Sequence, residues 1–280
     1  MRILCFKIKP VYIIIAILLA AGIVVFASGE KPQNGTPVPI LMYHQVSNKP
    51  SKLGEYVVSA TELENDIKIV LDKGFTPMFA SELLSCCQNK TPLPEKPVLI
   101  TFDDNYMSDY VYVLPILKKY DVKANFSVVG ALADLYSSGI DRHIDYAQCT
   151  WDEIREMKSS GLCEFLSHSY DMHNFSKRKG VLRTYAESHE DFLEILEDDI
   201  EKNKQAFEKN LGCEPIAFVY PFGSYNDEVG KIINSHFKMS FGVYEKPNYI
   251  KGDEKTLYLL HRYNMVHNRN IEKVLNEACF

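Results

Sequence analysis

The chain has 280 residues, 46% of them hydrophobic as in ordinary globular domains, and a formal net charge of −6 at pH 7. This acidic balance, without a basic face in the sequence, argues against nucleic acid as a partner because phosphate binding needs clustered Lys and Arg side chains. Seven cysteines are scattered without the paired spacing of a zinc ribbon, so no cysteine metal site is predicted.

The N-terminus carries an apolar run at 11–27 that three basic residues precede. This pattern predicts a signal peptide or a signal-anchor transmembrane segment over 1–28, with the basic end in the cytoplasm and the rest of the chain outside. The run is long for a signal peptide and short for a membrane span, so cleavage after Ala27 and retention as an anchor both stay open. A polar, proline-bearing linker follows at 29–37, and 38–280 is predicted to form one domain.

Apolar, strand-like runs alternate with amphipathic, helix-like stretches along the rest of the chain. The predicted strands are PILMY, LITF, KANFSVVG, CEFLS, IAFVY, KMSFGVY and LYLLHRY. The predicted helices lie at about 60–73, 107–120, 150–160, 189–211 and 226–236. Because a helix separates most successive strands, we expect the strands to be parallel and to form a (β/α) barrel of about seven or eight strands.

Polar residues follow the C-terminal ends of four predicted strands. His44 follows PILMY, Asp103 and Asp104 follow LITF, His168 follows CEFLS, and the turn at 221–223 follows IAFVY. In a barrel of parallel strands these ends meet at one face, which is the usual active-site face of the architecture. We therefore expect these side chains to lie close together.

The two adjacent aspartates suggest a metal site, although such a pair is also typical of a helix N-terminus. Their mutual repulsion should raise one pKa unless a cation or hydrogen-bond donors compensate. One carboxylate could bind a divalent metal with His168 and His173, while the other stays free as a base. Those histidines are five residues apart and would point about 140° apart on a helix, so only a loop brings them together. Either histidine alone is typical of a solvated loop.

Three motifs resemble those of the polysaccharide deacetylases, the carbohydrate esterase family that shares the NodB homology domain. They are TFDD at 101–104, the two-histidine loop and YPFG at 220–223, within a region of resemblance from about 38 to 265. The His-x4-His spacing, an early LMYH and a YPFG without a preceding arginine are most similar to the branch that de-N-acetylates the poly-N-acetylglucosamine of biofilm matrix. The resemblance implies a distorted (β/α) barrel and a divalent metal, commonly zinc.

Carried over residue by residue, the resemblance implies a role for each motif residue. Asp104, His168 and His173 would be the metal ligands, and Asp103 would be the catalytic base. The backbone N–H of Phe222 would stabilise the oxyanion that forms when water attacks an acetyl carbonyl. The departing amine then needs a proton from a general acid, because an amine is otherwise a poor leaving group.

Two histidines are candidates for that acid. The poly-N-acetylglucosamine branch has the acid in an early Tyr-His motif, which His44 matches, whereas most of the family has it in a late Leu-His motif, which His261 matches. We favour His44. Residues 257–263 are predicted to form a strand, in which His261 and Arg262 face opposite sides. Arg262 could then replace the arginine missing before YPFG and orient Asp103.

The sequence thus predicts an extracytoplasmic, metal-dependent hydrolase, anchored in the cytoplasmic membrane or secreted. It would remove N-acetyl groups from a GlcNAc-containing polysaccharide, either biofilm poly-N-acetylglucosamine or a cell-wall glycan. One alternative is a non-catalytic glycan-binding protein on the same barrel, since a fold does not fix a function. The intact set of two aspartates and two histidines argues against it. Another alternative is a metal-dependent amidase for a small amide, which would need a closed pocket.

Overall fold

The computed structural model describes residues 35–175 and 178–279. The predicted signal or anchor segment at 1–28 lies outside these residues. Within the described residues, no helix has both the length and the apolar character that a membrane crossing requires. The described chain begins inside the predicted linker, where Thr36–Pro37 pairs antiparallel with Tyr249–Ile250.

The strands of the described region are short and occur along its whole length. They are β1 (Thr36–Pro37), β2 (Ile40–Tyr43), β3 (Gln45–Val46), β4 (Val57–Val58), β5 (Thr76–Pro77), β6 (Pro97–Phe102), β7 (Ala124–Val128), β8 (Cys163–Ser167), β9 (Ala217–Val219), β10 (Met239–Phe241), β11 (Tyr249–Ile250) and β12 (Tyr263–Asn264).

The helices lie between these strands. They are α1 (Ala60–Asp72), α2 (Ala80–Asn89), α3 (Leu114–Tyr120), α4 (Gly130–Ser137), α5 (Trp151–Ser159), α6 (His189–Leu211), α7 (Asp227–His236) and α8 (Ile271–Cys279). A π-helical segment, Asp109–Val113, leads into α3, and short 3-10 turns cover Pro50–Lys52, Pro221–Gly223 and Glu254–Leu257. The five predicted helical regions are confirmed, and α2, α4 and α8 are additional.

The main sheet has the strand order β10-β9-β8-β7-β6-β2-β12, with β5 also paired to β6, and every pairing in it is parallel. The sheet curls into a distorted barrel with helices around it, which confirms the predicted fold class. The segment 260–264 closes the ring. Its Leu260 pairs with Phe241 of β10, and its Tyr263 pairs with Leu41 of β2.

The predicted strand at 257–263 is wrong over most of its length. Leu257 ends a 3-10 turn, and Leu259 has a φ of 56°, so its backbone is left-handed rather than extended. Extended pairing begins only at Leu260, whose N–H donates to the Ser240 carbonyl at 2.8 Å. The segment is therefore apolar because it is buried where the ring of strands closes, and not because it forms one regular strand.

The strands divide their side chains between two apolar clusters, because successive side chains point to opposite faces. Ile100 and Phe102 of β6 join the cluster that lies between the sheet and the helices α1, α3, α5 and α8. Leu99 joins the cluster inside the barrel, which also contains side chains of α2. Asp103 follows Leu99 at an even spacing, so it faces the barrel interior at the C-terminal end of β6.

Helix α6 packs against β9 and α7 through a third apolar cluster. The side chain of Ser188 accepts a hydrogen bond from the Asp191 N–H at its start, and Gly212, with a φ of 66°, ends it. Such a residue at each end satisfies backbone groups that the helix leaves unpaired. Two polar side chains, Asp199 and Asn203, lie on the buried face of this helix.

Candidate active site

Asp103 is almost fully buried and is held by an equally buried arginine. The Nη1 and Nη2 atoms of Arg262 donate to its two carboxylate oxygens at 2.7 and 2.8 Å, and the Ser127 hydroxyl donates to Oδ1 at 2.9 Å. Arg262 is 0% exposed and Asp103 is 3% exposed. Burial raises the pKa of Asp103, but the positive charge and hydrogen bonds of Arg262 oppose this shift, and that pKa lies below its usual range. The carboxylate is therefore ionised at neutral pH.

Asp104 turns away from Asp103 because its backbone is left-handed, with a φ of 68°. Its Oδ1 atom lies 3.1 Å from Nε2 of His173 and 3.5 Å from Nε2 of His168. The structure thus brings one carboxylate and two imidazoles together, with candidate ligand atoms all within 4.8 Å of one another. His168 directly follows β8, and His173 lies in the loop beyond it, where the sequence predicts a loop.

The protonation pattern of this cluster suits a cation. Nδ1 of His168 lies 2.8 Å from the Val219 carbonyl oxygen, and a carbonyl only accepts, so Nδ1 carries a hydrogen and the ring directs Nε2 toward Asp104. Oδ1 of Asp104 is buried and accepts no hydrogen bond from the described residues. A buried carboxylate oxygen facing two imidazole nitrogens is the donor set that a divalent ion needs. The three residues therefore fit a metal ion.

His44 lies on the other side of Asp103. Its Nε2 atom is 4.0 Å from Oδ2 of Asp103, and its ring meets the edge of the Tyr56 ring at 5.0 Å between centroids. Burial lowers the pKa of His44, and the negative charges of Asp103 and Asp104 oppose that shift. At neutral pH the ring is therefore mainly uncharged before reaction.

His261, the alternative acid, lies elsewhere. Its backbone N–H donates to Oδ1 of Asn248 at 2.8 Å, and its carbonyl accepts from Nδ2 of the same residue at 2.8 Å. Its neighbour Arg262 points to Asp103. Among the described residues, those that line the cavity beside Asp103 do not include His261.

The 3-10 turn at Pro221–Gly223 brings Phe222 against the candidate metal ligands. Phe222 has a left-handed backbone with a φ of 56°, and its ring lies 4.3 Å from the His173 ring and 4.1 Å from the Phe175 ring between centroids. Gly223 is also left-handed, with a φ of 60°, and a Cβ there would lie 2.1 Å from Cγ2 of Val243. A side chain at this position would therefore force Val243 or the turn to shift.

A cavity of about 560 Å³ joins these groups. Its rim carries the exposed rings of Tyr56 and Phe175, which are 53% and 65% exposed. The complete lining is Met42, His44, Tyr56, Asp103, Asp104, Tyr106, His168, His173, Phe175, Lys179, Phe222, Val243 and Asn264. The cavity is open at the rim, which suits a polymer better than a small amide.

Ser127, which was not predicted from the sequence, binds Asp103 from the next strand of the sheet. Asn125 and Ser127 are polar residues two apart in the apolar strand β7, and both are fully buried. Asn125 accepts from the Ala80 N–H at 2.8 Å and thereby connects β7 to α2. Polar residues at alternate positions of an apolar strand indicate that one face of the strand makes hydrogen bonds. This pattern in β7 could have predicted such a contact.

Comparison with known proteins gives a consistent set of similarities. A family model described as polysaccharide deacetylase matches residues 90–237. The Bacillus subtilis (strain 168) protein YxkH, whose name groups it with the polysaccharide deacetylases, is 31% identical over 237 residues, which cover 83% of this chain and 72% of that protein.

A more distant relative differs from this chain in length. The poly-beta-1,6-N-acetyl-D-glucosamine N-deacetylase of Escherichia coli (strain K12) is 25% identical over 217 residues, which cover 70% of this chain but 32% of that protein. The chain thus spans about a third of this relative. Among solved structures, a de-N-acetylase from Aggregatibacter actinomycetemcomitans has a TM-score of 0.75 at 24% identity and covers 86% of this chain and 99% of its own. That similarity shows a shared fold.

Proposed function

The chain belongs to the polysaccharide deacetylase family, and we propose that it is a metal-dependent N-deacetylase of a GlcNAc-containing polysaccharide. The observation that carries the proposal is the convergence of Asp104, His168 and His173 in an open cavity beside the ionised Asp103. A glycan-binding protein has no need of such a base next to a metal-ligand set. We propose poly-N-acetylglucosamine as the first substrate to test, because relatives in Escherichia coli and Staphylococcus aureus are named for that polymer.

In this proposal Asp104, His168 and His173 hold one divalent ion, for which we expect zinc because zinc accepts imidazole and carboxylate ligands. When bound, the ion supplies Lewis-acid polarisation of the acetyl carbonyl and of the attacking water. Asp103 is ionised because Arg262 lowers its pKa, so it can take a proton from that water. Arg262 and Ser127 fix the carboxylate, and this removes the need to reorient it during reaction.

Two further groups act on the atoms that change charge. The backbone N–H of Phe222 would donate to the oxygen of the attacked carbonyl as negative charge develops there. His44 would then take the proton gained by Asp103, across the 4.0 Å that separates Nε2 from Oδ2, and deliver it to the amine as the C–N bond breaks. The products are acetate and the free amine of the sugar. The lowered pKa of His44 fits a ring that accepts a proton before it donates one.

We place the domain outside the cytoplasmic membrane, anchored or secreted, because basic residues precede the apolar run at 11–27. A polysaccharide of the biofilm or cell wall would be accessible there. Protease added to intact protoplasts should then digest the domain. Protection of the domain from protease would contradict this location.

Acetate release tests the function directly. The purified full-length chain, in detergent where needed, would be incubated with poly-N-acetylglucosamine, acetylated peptidoglycan, chitooligomers and monomeric N-acetylglucosamine. We expect release from at least one polymer, stoichiometric metal, and the loss of both in a variant with His168→Ala and His173→Ala. Release from the monomer alone would favour a small-amide amidase. Polymer binding without release in the metal-loaded chain would favour a glycan-binding protein.

A further inference from the structure

The two candidate histidine ligands lie at the ends of the segment 168–173, which contains neither strand nor helix. It starts at the end of β8 and turns sharply at Ser169, whose φ is 68°. An irregular backbone of this length has many conformations, and most of them would separate the two imidazoles. The contacts of this segment with its neighbours therefore determine whether the metal-ligand set exists.

Helix α6 holds the segment through one carboxylate. Oδ2 of Asp199 accepts from the Tyr170 N–H at 2.8 Å, and Oδ1 accepts from the Asp171 N–H at 2.7 Å. Asp199 is 7% exposed. Each oxygen thus satisfies one of two consecutive backbone donors midway between the histidines. When the carboxylate is ionised, both bonds are stronger than bonds to a neutral group.

The next turn of α6 holds the start of the same segment. Nδ2 of Asn203 donates to the hydroxyl of Ser167 at 2.7 Å, and Ser167 directly precedes His168. Asn203 is fully buried. Asp199 and Asn203 are four residues apart and therefore lie on one face of the helix. This face contacts the chain on both sides of His168.

Helix α4 holds the segment from the opposite direction. The Ala131 N–H donates to the Tyr170 carbonyl at 2.9 Å, and the Gly130 N–H donates to the Ser169 carbonyl at 3.2 Å. A Cβ at Gly130 would lie 2.3 Å from Oδ1 of Asn203 and 2.6 Å from the Tyr170 ring. The first turn of α4, the segment and α6 therefore pack in direct contact.

The outer side of the segment is partly open. There it borders a second cavity of about 560 Å³, whose lining includes Tyr170, Asp171 and Asp199. The two hydrogen bonds to Asp199 hold the backbone on this side, and Met172 of the segment packs in the third apolar cluster. Burial raises the pKa of Asp199 to about 6, because the two N–H donors offset only part of the lost solvation. Burying a carboxylate is costly unless hydrogen bonds compensate, and both oxygens of Asp199 use their hydrogen bonds to hold this segment.

We propose that Asp199 is a positioning residue for the metal site, which sets the separation of His168 and His173 by holding the backbone between them, with Asn203 fixing the start of the segment. The inference rests on the proposed metal-dependent function. Asp199 touches neither substrate nor ligand, so its effect reaches the reaction only through the two imidazoles. Residues outside the coordination shell commonly tune metal affinity in this way.

Asp199→Asn in the full-length chain tests the proposal, because asparagine keeps the shape but has one acceptor oxygen, which leaves one backbone N–H without a partner. Metal affinity would be measured by chelator competition with Zn²⁺, and ligand geometry by the visible spectrum of the Co²⁺-loaded protein. We expect affinity to fall about 10- to 100-fold and the Co²⁺ spectrum to change. Excess metal should restore most of the acetate release. A residue that only stabilised the fold would leave the spectrum unchanged.

Asp198→Asn is the matched control, since Asp198 lines the same cavity but pairs with Lys202 at the surface. It should retain wild-type affinity and spectrum. If Asp199→Asn does not fold, Asp199→Glu is tested instead, because it moves both carboxylate oxygens by one methylene. The same loss of metal affinity and the same change in the Co²⁺ spectrum are expected. Wild-type metal affinity and a wild-type Co²⁺ spectrum in the folded Asp199 variant would overturn this inference but not the proposed function. A wild-type chain that binds no metal would overturn both the inference and the proposed function.

Discussion

Asp103 and Asp104 are neighbours in sequence, but their side chains lie in different surroundings. Asp103 faces a guanidinium and a hydroxyl, whereas Asp104 faces two imidazoles. Burial acts against ionisation of Asp103, and the positive charge of Arg262 opposes it, so that the pKa of Asp103 is lowered. The two carboxylates point to separate sets of partners, which offsets the repulsion between adjacent acids. Different partners also allow the two residues to have different roles.

Asp103→Asn separates these roles. Asparagine is nearly isosteric but cannot accept a proton, so kcat for acetate release should fall by at least about 100-fold while metal stays bound. The change leaves the fully buried Arg262 without its counter-charge, so the melting temperature should also fall. Metal content, melting temperature and kcat would be measured together. Adding Arg262→Met should recover stability but not activity, and recovered activity would show that the base lies elsewhere.

The general acid is tested by comparing two histidines. His44→Ala should keep metal and lower kcat by about 10²- to 10⁴-fold, the usual effect of removing a general acid. His261→Ala should have a much smaller effect, because His261 makes its hydrogen bonds with Asn248 through its backbone and does not line the cavity described around Asp103. His44→Ala should not slow the hydrolysis of an acetate ester with a good leaving group, since such a group departs without protonation. The opposite pattern would assign the acid to His261.

At the scale of elements, local sequence patterns were sufficient to predict the helices that pack on the sheet. The predicted helices at 60–73 and 189–211 agree with α1 and α6 to within a residue, because both have a periodic apolar face and a capping residue at the start. The last strand could not be predicted, since its backbone changes direction at Leu259 to join the two edges of the sheet. That geometry depends on the partners of the segment and not on its own sequence.

Local sequence patterns also predicted only part of the candidate site. The order of the motifs at strand ends was enough to predict that the two aspartates and His168 approach one another, because parallel strands present their ends at one face. The choice of Asp104 as the ligand came from the family resemblance. Arg262 was predicted beside Asp103 from the need for a positive charge, and the contact is present. Asp199 was not predictable, because it lies 28 residues from Asp171 and sits in a helix whose pattern shows only amphipathicity.

The turn at Pro221–Gly223 offers a test of how one element controls the site. Gly223→Ala adds a Cβ that would lie 2.1 Å from Val243 and retains an unfavourable left-handed backbone. We expect a loss of stability of about 1 to 3 kcal/mol and a lower kcat with metal retained, because the turn must shift and carry the Phe222 N–H with it. Gly212→Ala, also left-handed but with no atom near its Cβ, should lose about 1 kcal/mol and keep full kcat. Equal kcat values would exclude the turn from catalysis.

At the scale of the whole molecule, the buried acid of α1 connects the outer helices to the barrel. Asp66 is 8% exposed, and its Oδ2 accepts from the hydroxyl of Tyr43 at 2.8 Å. Tyr43 is the last residue of β2 and directly precedes His44. Burial raises the pKa of Asp66 to about 7, with Glu62 adding to the shift and the Tyr43 hydrogen bond opposing it. Stability should therefore depend on pH through a group outside the active site.

The direction of that dependence follows from which state holds the proton. From about pH 4 to about pH 7 the folded protein keeps the proton of Asp66 and the unfolded chain, with a pKa near 3.9, has lost it. The contribution of Asp66 to stability is therefore full below about pH 4 and falls as pH rises to about 7, by at most about 1.4 kcal/mol per pH unit. An asparagine side chain at this position cannot titrate, yet its amide oxygen can still accept from Tyr43.

Asp66→Asn should consequently gain stability relative to the wild type as pH rises. Thermal unfolding with a chelator present, so that metal binding does not vary, should show a difference in melting temperature that grows from about pH 4 to about pH 7 and then stays level. Asp72→Asn, at the exposed end of the same helix, is the control and should show no such trend. A pH-independent difference for Asp66→Asn would mean that the carboxyl is ionised in the folded protein throughout this range, and that the buried Tyr43–Asp66 contact carries a charge.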